Sequence, residues 1–173
     1  DTPGRGWTIT EADHRQVAVV VAMGNVYVST LTSPFQEIMG IVDDLHAQGV
    51  RTIIVDMHAE ATSEKLAFAR YLDGKVSAVI GTHTHIPTAD AQILPEGTAY
   101  QTDVGMVGPV DSVIGMKVEA SINRFLTQRR VKFQQSEDDA FLFQAVLLEI
   151  DGDGRAQHIE RIDKRMTIER TRI

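Results

Sequence analysis

Short apolar runs, each separated from the next by a helical pattern, constrain the fold more than any other feature of this sequence. They cover Val17–Met23, Thr52–Met57 and Val76–Ile80 and are rich in β-branched residues. Strands that are apolar on both faces are typical of a parallel sheet with its faces covered. Helical patterns lie between them, from Ser33 to about Gln48 and from Thr62 to about Leu72. This alternation predicts an α/β layered domain.

The ends of both helices can be predicted from local sequence signals. Ser33-Pro34 is expected to open the first helix, because proline is favoured in the first helical turn, and Gly49 is expected to end it. Thr62 or Ser63 is expected to cap the second helix, which Asp73-Gly74 should end.

The second half of the chain has a different pattern, richer in strands. The sequence predicts a helix near Lys117–Thr127, a hairpin turn at Asp151–Gly154, and strands at Ile93–Leu94, Thr98–Thr102, Phe141–Ile150 and His158–Ile168. In the first half, Val26–Val28 is expected to be a further strand or the continuation of an interrupted Val17–Met23 strand. Because no repeat, low-complexity tract or long linker separates these segments, we expect residues 1–173 to form a single domain.

Composition excludes several classes of protein. The chain of 173 residues has no cysteine, which rules out disulfides and thiolate metal sites and fits a cytoplasmic location. Its net charge of −7 argues against stable nucleic-acid binding but not against one small anionic substrate at a metal site. No apolar run approaches the roughly 20 residues that a membrane span needs, so we expect no membrane partner.

Histidines follow two of the predicted strands and form the candidate site. His58 follows the Thr52–Met57 strand, and His83 and His85 follow Val76–Ile80. Ligands of parallel α/β sheets collect at the carboxyl ends of strands. On an extended segment His83 and His85 would share a face with α-carbons about 6–7 Å apart. They could hold one ion together or serve one ion each of a metal pair.

Imidazoles with carboxylate neighbours suit zinc, iron or manganese better than calcium or magnesium. The alternative is that His83 and His85 are polar loop residues bonded to the backbone. Asp56 and Glu60 flank His58 and are candidates for orienting an imidazole. The competing interpretation of Asp56 is a carboxylate at the end of a strand that is bonded to the backbone. That of Glu60 is a charged residue that precedes a helix.

A second candidate segment follows the Thr98–Thr102 strand. Asp103 precedes a glycine-rich loop in which Gly105 would let the backbone approach a ligand, so both residues are candidates for support or lining of a substrate pocket. The loop through Pro109 is a candidate pocket wall. A plain turn explains the same residues.

Three strings of the sequence resemble a known family. Residues 55–65 read V-D-M-H-A-E-A-T-S-E-K, residues 81–85 read G-T-H-T-H, and residues 93–109 read I-L-P-E-G-T-A-Y-Q-T-D-V-G-M-V-G-P. They resemble the bacterial YmdB-type metallophosphoesterases of the calcineurin-like superfamily, described as 2′,3′-cyclic-nucleotide phosphodiesterases. The resemblance implies a calcineurin-like α-β-β-α sandwich, an enzyme acting on a small cyclic-nucleotide substrate, and two divalent or trivalent metal ions (Fe, Mn or Zn).

The resemblance also implies roles for the histidines. His58 and His83 would ligate one metal ion and His85 the other. The family's remaining ligands and its general-acid histidine belong to earlier G-D, E-N and G-N-H motifs. The stretch before Asp56 contains none of them, and Gly24-Asn25 is followed by Val26 rather than by histidine. We therefore expect the N-terminal third of the domain to be missing, the general acid to lie there, and this chain to hold metal weakly by itself.

Two other functions compete with this one. An amidohydrolase also uses H-x-H at a strand end, but it needs an eightfold barrel of about 250 residues, which this chain cannot build. A regulatory or structural protein that kept the fold without the chemistry stays open as an alternative. So does association into a homo-oligomer, which an exposed edge strand would invite.

Overall fold

The computed structural model describes residues 4–12, 14–28 and 32–167. Helices α1–α3 are Pro34–Ala47, Thr62–Tyr71 and Val118–Thr127. Strands β1–β9 are Trp7–Ala12, Arg15–Met23, Thr52–His58, Ala78–Thr82, Gln92–Ile93, Ala99–Gln101, Val107–Pro109, Ala140–Ile150 and Ala156–Thr167. None of these helices is long and apolar enough to cross a membrane.

The strands form two sheets within the described residues. The larger has the order β1-β2-β3-β4-β6-β5, and the smaller has the order β7-β8-β9. Strands β2, β3, β4 and β6 are parallel, whereas β1 and β5 are antiparallel edge strands. The predicted α/β class is confirmed, and the central parallel strands place their carboxyl ends along one edge.

Alternating residues of the parallel strands face two different layers. Ile53 and Val79 pack among the buried side chains of α1 and α2, such as Leu45 and Phe68. The next residue on β4, Ile80, packs instead in a cluster with side chains of β8 and β9. The order of layers is therefore helices, large sheet, small sheet. Burial on both faces accounts for the continuous apolar runs in the sequence.

Several predicted boundaries are confirmed and others are wrong. The structure confirms α1, α3 and a turn at 151–154, in which Asp151 N–H donates to the Arg155 carbonyl at 2.9 Å. The predicted Thr62 or Ser63 cap is wrong, because Ala61 precedes α2 and no side chain caps it. The predicted end of the last strand at Ile168 lies outside the described residues.

Three segments differ from the sequence interpretation. Val26–Val28 is not a strand, because the backbone turns where Glu64 carboxylate oxygens accept the N–H groups of Asn25 (2.8 Å) and Val26 (3.2 Å). Trp7–Ala12, which the sequence pattern does not predict as a strand, pairs antiparallel with β2. Val107–Pro109, expected as a loop, is strand β7 of the small sheet and pairs with β8.

Gly81 lies where β4 packs directly against Thr102, the residue after β6. A Cβ atom built there would overlap the Thr102 carbonyl oxygen, so no other residue fits without moving the backbone.

We predict that Gly81→Ala lowers the free energy of unfolding by about 2 kcal/mol or more in urea denaturation, because overpacked cores strain the backbone. Gly40→Ala is the control: its site in α1 is open, and alanine there should stabilise by about 0.5–1 kcal/mol. Equal effects of the two substitutions would contradict this interpretation.

Hydrogen bonds to Asp90 connect the segment that follows His85 to the end of β6. Its carboxylate accepts hydrogen bonds from the Thr102 hydroxyl (2.5 Å) and the Thr102 N–H (3.2 Å). Burial is the largest single effect and raises the pKa of Asp90, but the hydrogen bonds from Thr102 and Thr88 together lower it below the ordinary 3.8.

Because its pKa is lowered, Asp90 makes a contribution to the free energy of unfolding that depends on pH in a defined direction. The stabilisation is present above about pH 4 and is lost as the pH falls through the lowered pKa, because the unfolded chain then binds the proton more readily. We predict that Asp90→Asn costs about 1 kcal/mol at pH 7 and removes this part of the acid sensitivity, measured by urea denaturation from pH 7 to pH 3. Asp153→Asn, on the exposed turn, should do neither.

Candidate metal centre

The pairing of β3 with β4 brings the histidine-bearing strand ends together. His58, the last residue of β3, is in register with Thr82, the last residue of β4. His83 follows directly. The segment beyond β4 is anchored to the next strand end, where Val104 N–H donates to the Gly81 carbonyl at 2.9 Å. The sequence prediction that His58 and His83 meet at this edge agrees with the structure.

The two imidazoles contact each other edge to face. Their ring centroids are 4.8 Å apart with an interplanar angle of 87°. Nε2 of His58 lies 3.1 Å from Nδ1 of His83. About a third of the His83 side chain is exposed, so the contact is open to solvent on that side.

The other nitrogen of each ring has a partner that fixes its proton. Nδ1 of His58 lies 2.9 Å from the Thr82 hydroxyl oxygen, and that hydroxyl donates its only proton to Asp56 Oδ1 at 2.7 Å. His58 must therefore donate from Nδ1 to Thr82. Nε2 of His83 lies 3.0 Å from Glu60 Oε2, and because a carboxylate only accepts, this nitrogen is also protonated.

These assignments leave a lone pair on each of the two nitrogens that face each other. Two neutral rings in these tautomers repel at 3.1 Å unless a positive ion or a proton lies between them. Two nitrogens bound to one metal ion at about 2.1 Å, with an angle of 90–110°, are about 3.0–3.4 Å apart. Metal-bound histidines also commonly donate their second N–H to a carboxylate or another oxygen. The chemistry of His58 and His83 therefore fits a metal ion.

His85 differs from the sequence prediction. β4 ends at Thr82, and His83 and His85 have φ values of +101° and +65°, so the segment is not extended. The alternation that would place both rings on one face does not apply, and the prediction of a shared face on an extended segment is wrong. Nδ1 of His85 donates to the Ile114 carbonyl at 3.0 Å instead. In the described part of the chain, no three His, Asp or Glu side chains form a metal-binding group.

Asp103 and Gly105 lie beside the site as supporting residues. The Asp103 side chain is fully buried, and its oxygens accept the N–H groups of Thr84 and Gly105, each at 3.0 Å. Gly105 has a φ of +92°, and a Cβ there would collide with the Gln144 side chain on β8. Close packing between the two sheets thus accounts for this glycine.

Sequence reasoning missed two buried charges on the first turn of α2, Glu64 and Lys65. Lys65 is fully buried and contacts Asp103 Oδ2 at 2.9 Å. Glu64 is 8% exposed and accepts the N–H groups of the loop after β2. Charged residues on a helix are usually solvated, and adjacent positions give no periodic signal, so the partners across the fold could not be inferred.

Comparison with solved structures shows the same fold in two crystal structures. One is of a hypothetical protein from Thermus thermophilus, with a TM-score of 0.87 and 41% identity, covering 95% of this chain and 63% of that one. The other, described as a novel phosphatase, is from Mycoplasma pneumoniae, with a TM-score of 0.83 and 35% identity over 95% of this chain and 58% of that one.

Sequence comparison finds a curated relative and a family. The 2′,3′-cyclic-nucleotide 2′-phosphodiesterase of Bacillus subtilis (strain 168) is 45% identical over 164 residues, which are 93% of this chain and 61% of the relative. The chain thus spans about three fifths of the length of these relatives. The family model described as YmdB-like protein matches residues 1–162. The resemblance seen in the sequence is confirmed: the chain belongs to the YmdB-like protein family.

Proposed function

We propose that the natural polypeptide carrying this sequence is a metal-dependent phosphodiesterase that hydrolyses 2′,3′-cyclic nucleotides at a dinuclear Fe, Mn or Zn centre. The observation that carries the proposal is the pair of imidazole nitrogens that lie 3.1 Å apart, Nε2 of His58 and Nδ1 of His83, while the other nitrogen of each ring lies within hydrogen-bond distance of an oxygen. The name of the Bacillus subtilis relative supports the substrate class.

In this proposal the chain supplies the histidine part of the site. His58 and His83 hold one ion and His85 holds the second. Asp56, acting through Thr82, and Glu60 keep the rings of His58 and His83 in the tautomers that leave these lone pairs free. The bound ions would supply Lewis acidity and lower the pKa of a water for attack on phosphorus. None of these histidines acts as the general acid, because their remaining nitrogens bind the metal ions. The general acid is a further residue.

Asp103 and Gly105 act on the substrate pocket indirectly. Asp103 is fully buried and holds Thr84, so it shapes the loop between His83 and His85 rather than touching substrate. Gly105 brings the chain after β6 close to Gln144, whose side-chain oxygen accepts the Met106 N–H at 2.9 Å. Both residues would therefore shape the pocket through the backbone around it.

The layers fit the proposed architecture. We assign the α1–α2 layer, the large sheet and the β7–β9 sheet to three layers of a calcineurin-like α-β-β-α sandwich, so that residues 1–173 form part of a single metallophosphoesterase domain. The core clusters on the two faces of the large sheet support this order. The site would then lie at the edge where the parallel strands end.

Metal binding tests the ligand assignment directly. We predict that His58→Ala and His83→Ala each weaken Co²⁺ binding by at least about tenfold, measured from the cobalt absorption band, and that Thr82→Val weakens it by about 10- to 100-fold because His58 loses its orienting partner. His158→Ala, an exposed histidine on β9, is the control and should bind normally. Unchanged affinity in His83→Ala would remove this residue from the site.

Activity tests the reaction. We predict hydrolysis of 2′,3′-cyclic AMP in the presence of Mn²⁺, with a loss of about 100-fold or more in His83→Ala, because the metal contributes several kcal/mol to stabilising the transition state. The assay uses the natural polypeptide and separates the nucleotide products by chromatography. Tight metal binding without hydrolysis would instead favour the regulatory alternative, and hydrolysis unaffected by His83→Ala would contradict the proposed site.

A further inference from the structure

We infer that the buried Lys65–Asp103 ion pair is a positioning device that holds the His83 segment in the backbone conformation in which His83 faces His58. Neither residue is placed against substrate or metal. The use of this conformation for metal binding rests on the proposed function, but the conformational role does not.

The pair lies beneath the histidine segment and is shielded from water. Both side chains are fully buried, and Lys65 Nζ lies 2.9 Å from Asp103 Oδ2. Lys65 Nζ also donates to the Thr82 carbonyl at 2.6 Å, and Asp103 Oδ2 accepts the Thr84 N–H at 3.0 Å. The two charges therefore bind the residues immediately before and after His83.

The segment between these hydrogen bonds has a backbone conformation that L residues rarely adopt. His83 and His85 have φ values of +101° and +65°, although neither is glycine. Such conformations cost free energy and persist only where the surroundings fix them. The hydrogen bonds at Thr82 and Thr84 are the contacts positioned to do so, because they flank His83 on both sides.

Global stability alone does not account for a buried ion pair here. Removing two charges from water is costly, and replacing a buried pair with apolar residues of similar volume is often neutral or stabilising. Both oxygens of the Asp103 carboxylate are engaged, since the second oxygen accepts the Gly105 N–H at 3.0 Å. We therefore expect the Lys65→Met, Asp103→Leu double variant to fold while releasing the His83 segment.

A comparison of alanine with glycine at position 83 tests this without any metal. Both substitutions remove the imidazole, so their difference reports the cost of a positive φ. In the otherwise unaltered protein, His83→Gly should have an unfolding equilibrium constant about fivefold smaller than His83→Ala, measured in urea. In the double-variant background this advantage of glycine should disappear, because the segment is free to relax.

Gln128 provides the matched control for that experiment. It also has a positive φ, of +55°, but lies at the end of α3, away from the ion pair. The difference between Gln128→Gly and Gln128→Ala should be the same in both backgrounds. If the glycine advantage at position 83 also persists unchanged in the double variant, the ion pair does not hold this conformation and the inference is overturned.

Cobalt binding supplies the readout linked to function. The double variant should bind Co²⁺ about tenfold more weakly with its circular dichroism unchanged, as expected when support around metal ligands is lost. Thr98→Val is the control for a lost buried hydrogen bond: Thr98 bonds to the Val76 carbonyl at 2.7 Å before β6 begins, at the end of the sheet opposite the histidines. It should lower the midpoint of thermal unfolding but leave cobalt affinity intact.

The two readouts separate the two hypotheses. Absence of Co²⁺ binding in the unaltered natural polypeptide would contradict the metal site of the proposed function, while the alanine–glycine comparison at position 83 would still decide the role of the pair. Normal cobalt affinity in the folded double variant would show that Lys65 and Asp103 do not position the ligands.

Discussion

The hydrogen-bonded register between β3 and β4 is the constraint on which the candidate site depends. It places His58 opposite Thr82, whose hydroxyl links the His58 imidazole to Asp56. His83 follows Thr82 directly and can therefore contact His58 from the side. A shift of one residue would turn every side chain of a strand to the opposite face. Alternate residues are buried in two different core clusters, and such a shift would exchange the two sets.

Helix α2 links the apolar framework to this polar edge through its first turn. Glu64 binds the loop after β2, and Lys65 binds the segment after β4 together with Asp103. Further along the same helix, Phe68 and Ala69 are fully buried in the core. The helix thus packs on the sheet through apolar side chains and binds the loops through charged ones. It therefore positions the loops relative to the strands.

The sequence predicted the central elements well because their burial leaves a strong pattern. Thr52–Met57 could be recognised as a two-faced buried strand, and His58 and His83 could be placed at one edge, since parallel strands share a direction. His85 could not be placed, because positive φ values at non-glycine residues have no reliable signal in sequence. The turn at Val26 depends on Glu64, 38 residues away, and was equally invisible.

Heating should affect this framework unevenly. Ions are hydrated less favourably as the temperature rises, so keeping an ammonium and a carboxylate dry becomes less costly, whereas apolar burial gains little further strength. The contact between Lys65 and Asp103 therefore grows in relative importance on warming. We therefore expect the segment around His83 to lose its structure on heating only after the exposed ends of the sheets have begun to fray.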